Sequence, residues 1–172
     1  MPDLKINLPQ YLIDEIKVKD KKGLFIENIF ALENSSFKTK PPLIGLWPNS
    51  ITTINNTIWL PRNFKSWSRI DQESTLIHES VHLIQYKNGL LNIIQYGLNK
   101  EYRLRVEVSA ERIGIRYRIA MGDLRKSQFP NYSVNQANNW PNQYNIAKCK
   151  THSEWFILFK SICDEELKIV EA

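Results

Sequence analysis

Two histidines and a glutamate lie together in the middle of the chain, in the segment His78-Glu79-Ser80-Val81-His82. On a helix, side chains four residues apart are neighbours on one face, so His78 and His82 would point the same way. Two imidazoles at that spacing can bind one tetrahedral zinc ion. Glu79 follows the first histidine and would take a proton from a water that the metal activates. These residues predict metal-assisted hydrolysis with one bound Zn²⁺ and Glu79 as the general base.

The alternative interpretation is an ordinary helix that carries two histidines by chance. The chain has only three histidines, however, and two of them fall in this segment. Residues 72–88 predict a well-formed helix with Asp71 as its N-cap. Its apolar stripe consists of Ile77, Val81 and Ile84. A regular amphipathic helix around the motif favours the metal site over chance.

A third protein ligand is expected, because catalytic zinc usually keeps three of them and one position for water. The motif lacks the extension that would supply a third histidine, since Gln85 and Asn88 stand where glycine and histidine are required. A second helical pattern, over residues 100–121, offers Glu107 and Glu111 four residues apart instead. The competing interpretation of these two acids is an exposed helix face, paired with the many arginines nearby.

A β hairpin is expected just before the metal helix. Residues 51–54 and 57–60 are rich in β-branched side chains, and Asn55-Asn56 between them suits a two-residue turn. Pro61 cannot donate to a strand ladder and therefore ends the second strand.

The remaining segments carry weaker signals. Residues 9–22 predict a short helix, residues 24–32 either a strand or a helix, and residues 34–42 a loop. Residues 123–148 are rich in Asn and Pro and predict a long irregular segment. Thr151-His152-Ser153-Glu154 fits a capping box, which predicts that a last helix starts there.

Length and composition indicate one globular domain spanning residues 1–172. Two cysteines, Cys149 and Cys163, are too few for a disulfide framework and are expected to be reduced. The net charge is +5, but no zinc finger, RNP-like motif or glycine-rich phosphate loop accompanies it, so nucleic acid is not an expected partner. Without a membrane-length apolar run or a signal peptide, we expect a soluble, cytoplasmic or otherwise intracellular protein.

At these residues the sequence resembles the zincin metallopeptidases, in their gluzincin branch. That branch has H-E-x-x-H on one helix and a glutamate ligand in an E-x-x-x-D-like segment on a later helix. His78-Glu79-Ser80-Val81-His82 matches the first part. Glu107-Val108-Ser109-Ala110-Glu111 matches the second, with Glu111 in place of the usual Asp. The likeness covers residues 50–120.

The resemblance implies an α+β fold: a small zincin-like domain in which a short antiparallel hairpin packs on the active-site helix beside further helices. It also implies a peptidase in which His78, His82 and Glu107 bind zinc and Glu79 is the general base. Glu111 would receive an N–H from a ligand histidine and so fix its tautomer, or it would exchange roles with Glu107.

Two further features of that branch concern the substrate. A strand beside the metal helix binds the peptide or protein substrate by strand addition, and residues 57–60 are the candidate edge. A Tyr or His usually stabilises the oxyanion of the tetrahedral intermediate. The candidates here are His152, Tyr102 and Tyr117, although His152 also fits a solvated helix start and Tyr117 a core position.

Two other functions compete with the peptidase. One is a catalytically silent zinc-binding protein, structural or part of an assembly, that keeps the zincin scaffold without turnover. The other is a nucleic-acid-associated protein, for which only the basic charge and the arginines of residues 103–118 argue.

Overall fold

The computed structural model describes residues 10–39, 51–54, 56–85 and 90–172. These residues divide into two compact units, an N-terminal one whose described part ends at Gln85 and a C-terminal one from Leu90 to Ala172. The described chain is mostly helical with one small sheet, which confirms the expected α+β class. Across the described ranges, no helix is both long and apolar enough to cross a membrane. The organisation into a single domain stays a prediction.

The described part of the N-terminal unit contains three α-helices and three short strands. In chain order they are α1 (Gln10–Lys19), α2 (Ile26–Glu33), β1 (Ser36–Thr39), β2 (Thr52–Ile54), β3 (Thr57–Leu60) and α3 (Arg69–Gln85). Residues 24–32, for which the sequence predicts either a strand or a helix, thus lie mostly in the helix α2. Its core contains aliphatic side chains of all three helices, among them Ile16, Leu32 and Ile77, all almost fully buried. Burial of these side chains stabilises the packing of α1 and α2 around α3.

The sheet differs from the predicted one. The hairpin of β2 and β3 is antiparallel as predicted, with Thr53 opposite Ile58; Asn55 of its turn lies outside the described residues. The expected antiparallel hairpin is only part of the sheet, because β1 adds to β3 in parallel and makes a mixed sheet of order β1-β3-β2. The predicted loop 34–42 is therefore wrong over Ser36–Thr39, and its last residues lie outside the described part. Parallel pairing joins segments far apart in the chain, so no local turn signal announces it.

The helix α3 begins three residues earlier than predicted. Ser68 precedes it, accepts the backbone N–H of Asp71 at 3.2 Å and donates its hydroxyl to the Asp71 carboxylate. Asp71 is thus the acidic residue of the first turn rather than the N-cap, a correction of one helical turn. The predicted end at residue 88 lies outside the described residues.

Polar contacts tie α3 to the two helices before it. Glu73 is completely buried and forms salt bridges with Lys19 at 2.8 Å and Arg69 at 3.4 Å. Asn28 of α2 donates its side-chain amide to the Ser80 hydroxyl at 2.8 Å, and that hydroxyl donates to the Ile77 carbonyl oxygen. Buried polar groups are costly unless paired, so these contacts hold α3 in one position within the unit.

The C-terminal unit is helical. Its helices are α4 (Leu90–Leu98), α5 (Lys100–Ala120), α6 (Phe129–Gln143) and α7 (His152–Glu171). The predicted helix 100–121 is confirmed as α5, which Asn99 caps and after which Gly122 turns the chain with a φ of +74°. The predicted capping box is also confirmed, because Thr151 and Glu154 bond each other's backbone N–H at the start of α7.

The prediction of a long irregular segment over residues 123–148 is wrong, because α6 occupies most of it. Pro130 lies in the first turn, where a missing N–H costs nothing, and Pro141 lies near the end. The buried side chains of α6 recur at helical spacing, and the asparagines fill the exposed side. The buried stripe is Phe129, Ser133, Ala137 and Trp140. The sequence of α6 thus has helical periodicity, although its composition is typical of loops.

Both cysteines are free, as the sequence predicts. Cys163 lies in the core of the C-terminal unit with no exposed surface. Burial raises the pKa of its thiol to about 12, so it remains a neutral side chain that packs against the core.

Candidate metal centre

His78, Glu79 and His82 form a compact group of possible metal ligands on α3. One ligand atom from each lies within 4.8 Å of the others, and all three side chains are buried. The two imidazole rings lie 5.1 Å apart between centroids and meet edge to face at 74°. The helical spacing therefore brings together what the sequence predicts, and two imidazoles with a carboxylate are a donor set that suits zinc.

The carboxylate of Glu79 is held by the neighbouring strand. Thr53 of β2 donates its hydroxyl to Glu79 Oε2 at 2.6 Å, and both residues are buried. Within the described residues this is the one hydrogen bond of the Glu79 side chain, and it comes from a neutral group. A divalent cation beside a buried carboxylate offsets the cost of removing its charge from water. The electrostatics of the site thus fit a bound metal.

Gln85 contacts the second histidine, one turn along α3. His82 Nδ1 lies 3.1 Å from the side-chain oxygen of Gln85. An amide oxygen only accepts hydrogen bonds, so the imidazole proton belongs on Nδ1 and the lone pair stays on Nε2, where a metal would bind. Outer contacts of this kind orient ligand histidines in metalloproteins.

Glu107, the predicted third ligand, lies on α5 in the C-terminal unit and is 2% exposed. The competing interpretation of this residue as part of an exposed face is therefore wrong. Its carboxylate accepts a hydrogen bond from the Tyr96 hydroxyl of α4. Its binding of the metal stays a prediction from the sequence.

Glu111 is half-buried one turn further along α5. Its carboxylate accepts the hydroxyl of Tyr132 from α6 at 3.0 Å, a contact that holds it within the C-terminal unit. The role predicted for it, as the acceptor of an N–H from a ligand histidine, stays a prediction as well.

The three candidate oxyanion stabilisers all belong to the C-terminal unit. His152 is exposed at the start of α7, with Nε2 2.9 Å from the Asn138 side-chain oxygen. Tyr102 is half-buried in the first turn of α5, where its N–H donates to the Asn99 cap. Tyr117 is fully buried, which agrees with the core position that its place on the apolar stripe indicates. Their catalytic role stays a prediction.

Two residues of interest have no signal in the sequence. Thr53 reads as an ordinary strand threonine, and only the packing of β2 on α3 brings it to Glu79 across a separation of 26 residues. Tyr96 lies in a segment for which the sequence analysis predicts no element, and the packing of α4 on α5 brings it to Glu107.

No protein-family model, no curated protein and no solved structure matches this chain. The zincin resemblance therefore rests on the two motifs in the sequence.

Proposed function

We propose that this protein is a zinc-dependent hydrolase, and specifically a metallopeptidase that cleaves peptide bonds by Glu79-assisted attack of water. One observation carries the proposal: the ligand atoms of His78, Glu79 and His82 lie within 4.8 Å of one another on one buried stretch of α3. The hairpin that precedes α3 and packs on it through β2 supports a small zincin-like arrangement as part of the same proposal.

In this proposal the residues of the site have separate roles. His78 and His82 would hold the metal, with Glu107 as the third ligand that the sequence motif supplies, and Gln85 would keep His82 in the binding tautomer. When bound, zinc polarises the substrate carbonyl and lowers the pKa of water to about 7. Glu79 would accept the proton of the attacking water and return it to the amine nitrogen that leaves, so that the carboxylate ends as it began.

The strand that would bind the substrate is β2. The predicted edge, residues 57–60, is wrong, because β3 lies between β1 and β2 and uses both of its edges. Among the described strands, β2 pairs only with β3, and its Thr53 touches Glu79. An extended peptide that pairs with the outer edge of β2 would therefore run beside the general base.

The test begins with the metal content of the purified protein. Elemental analysis should find about one zinc ion per chain in the wild type, as expected of a single site. His78→Ala and His82→Ala should lose that zinc, whereas Glu79→Gln should retain it. A carefully prepared wild type that binds no metal would overturn the proposal.

Hydrolysis is then measured with a fluorogenic peptide library. Glu79→Gln should lower the rate by about 100-fold or more, because a positioned general base contributes a factor of that order. Glu27→Gln, the same exchange on the exposed surface of α2, is the matched control and should change nothing. Full activity in Glu79→Gln contradicts the base role. A zinc-loaded wild type that cleaves no peptide favours the alternative of a structural or assembly protein.

A further inference from the structure

We propose that Thr53 is the positioning residue of the general base: its hydroxyl fixes the orientation of the Glu79 carboxylate for catalysis. This inference rests on the proposed function. The observation that carries it is the hydrogen bond from Thr53 Oγ1 to Glu79 Oε2, at 2.6 Å.

The contact is built into the fold rather than formed at the surface. Thr53 is 8% exposed and Glu79 is 6% exposed, and β2 packs directly on α3. A hydroxyl that donates to a carboxylate makes a short, charge-assisted hydrogen bond, and such bonds strengthen where water is excluded. The β-branched threonine also has a restricted χ1 angle, so its hydroxyl is held in place by the strand.

Such a contact matters for proton transfer. A glutamate side chain has several rotatable bonds, whereas a general base must place one oxygen within hydrogen-bond reach of the attacking water. The Thr53 hydroxyl engages Oε2 and so leaves Oε1 as the oxygen that accepts the proton. Holding a reactive group in its productive orientation beforehand removes an entropic cost from the reaction.

A merely structural contact between β2 and α3 would also explain the hydrogen bond. The two roles differ in what they change. A structural contact would affect stability alone, whereas a positioning contact would lower kcat without weakening metal binding, because the Thr53 hydroxyl donates to the proposed base.

The kinetic test compares Thr53→Val, which keeps the shape but removes the hydroxyl, with Thr53→Ser, which keeps the hydroxyl. Thr53→Val should lower kcat by about 10- to 100-fold, the cost expected of a misplaced catalytic group. KM should change by no more than about twofold, because uniform binding of the substrate is retained. Thr53→Ser should restore most of kcat, and zinc affinity in a chelator competition should stay at the wild-type value in both variants.

The matched control is Thr57→Val, which makes the same exchange on the neighbouring strand β3. Thr57 is half-buried, and its partner in the hairpin is Ile54 of β2. It should keep both kcat and zinc affinity.

A second readout does not depend on activity. In the zinc-free protein, Thr53→Val should lower the unfolding temperature by about 3–6 °C, because a buried carboxylate loses its donor. In a Glu79→Ala background the same exchange should lower it by less than about 1 °C or raise it, since the hydroxyl has then lost its acceptor. This difference measures the coupling of the two side chains directly.

Three results would overturn the inference: an unchanged kcat in Thr53→Val, an equal temperature shift in both backgrounds, or a loss of zinc in Thr53→Val. Failure of the proposed function is distinguishable from these, because it would show in the wild type itself, as a zinc-loaded protein without peptidase activity.

Discussion

Two buried glutamates on α3, Glu73 and Glu79, differ in the groups that surround them. Glu73 is compensated by Lys19 and Arg69, two cations that cancel its charge. Glu79 is held by the neutral hydroxyl of Thr53 and lies beside two histidines. A buried carboxyl group next to possible metal ligands is the pattern expected of a reactive site. The sequence places both acids on one helix but does not distinguish their roles.

At the residue scale, the contact between Gln85 and His82 predicts an effect on metal affinity. Gln85→Ala should weaken zinc binding by about 10- to 100-fold, because loss of an outer partner leaves the ligand histidine free to change tautomer and orientation. Competition with a chromophoric chelator measures this. Gln10→Ala, on the exposed start of α1, is the control and should leave affinity unchanged. Equal affinities for wild type and Gln85→Ala would remove Gln85 from the metal centre.

At the scale of elements, α3 is positioned from its first turns onward. Its start is capped by Ser68, and its buried Glu73 reaches Lys19 at the end of α1. The helix is therefore fixed well before the proposed metal ligands occur in the chain, which is what a preorganised metal site would require.

This anchor predicts a stability effect that depends on burial. Lys19→Met should lower the free energy of unfolding by about 1–3 kcal/mol, because it leaves the fully buried Glu73 with one cation fewer. Lys17→Met removes a comparable ion pair, with Glu33, in which both side chains are substantially exposed. It should cost less than about 1 kcal/mol. Urea denaturation of the two variants provides the comparison, and equal losses would contradict the role assigned to Glu73.

Two elements, α6 and β1, differ most from the secondary structure that the sequence predicts. Residues of α6 were predicted to be irregular because asparagine and proline are typical of loops, yet four buried side chains at helical spacing decide the outcome once α7 packs against them. β1 was predicted to be a loop because a four-residue strand with alternating polar residues has no distinctive pattern by itself. In both cases a partner outside the element stabilises it: the strand β3 for β1, and the following helix α7 for α6.

For the whole molecule, metal binding and folding should be linked. A ligand that binds only the native state stabilises it by about 2.7 kcal/mol at a free concentration 100 times its Kd. For a chain of this length that corresponds to a rise in unfolding temperature of about 5–10 °C. Calorimetry with added zinc should show this rise, and a chelator should reverse it. His78→Ala should show no rise, and a zinc-dependent rise in that variant would contradict the assigned site.

The same calorimetric experiment distinguishes Glu107 from Glu111 as the third zinc ligand. If Glu107 is the third ligand, Glu107→Gln should reduce the zinc-dependent rise clearly, whereas Glu111→Gln should retain most of it. The reverse order would exchange the roles of the two residues.

Features that depend on residues close together in the chain follow from the amino-acid sequence alone. The helices α3, α5 and α7, the cap of the last helix, the hairpin of β2 and β3, and the pairing of His78 with His82 on one face all follow from periods and caps within a few residues. Such local rules act on neighbours along the backbone, so they can be read without knowing the fold.

Tertiary structure alone decided what each polar side chain touches. It made β3 the central strand and so moved the proposed substrate edge to β2, it paired Glu73 with cations, and it brought Thr53 to Glu79. The physical reason is that the charge state and orientation of a buried carboxylate depend on the groups that packing brings to it. Those groups come from other elements, and sequence spacing carries no record of them.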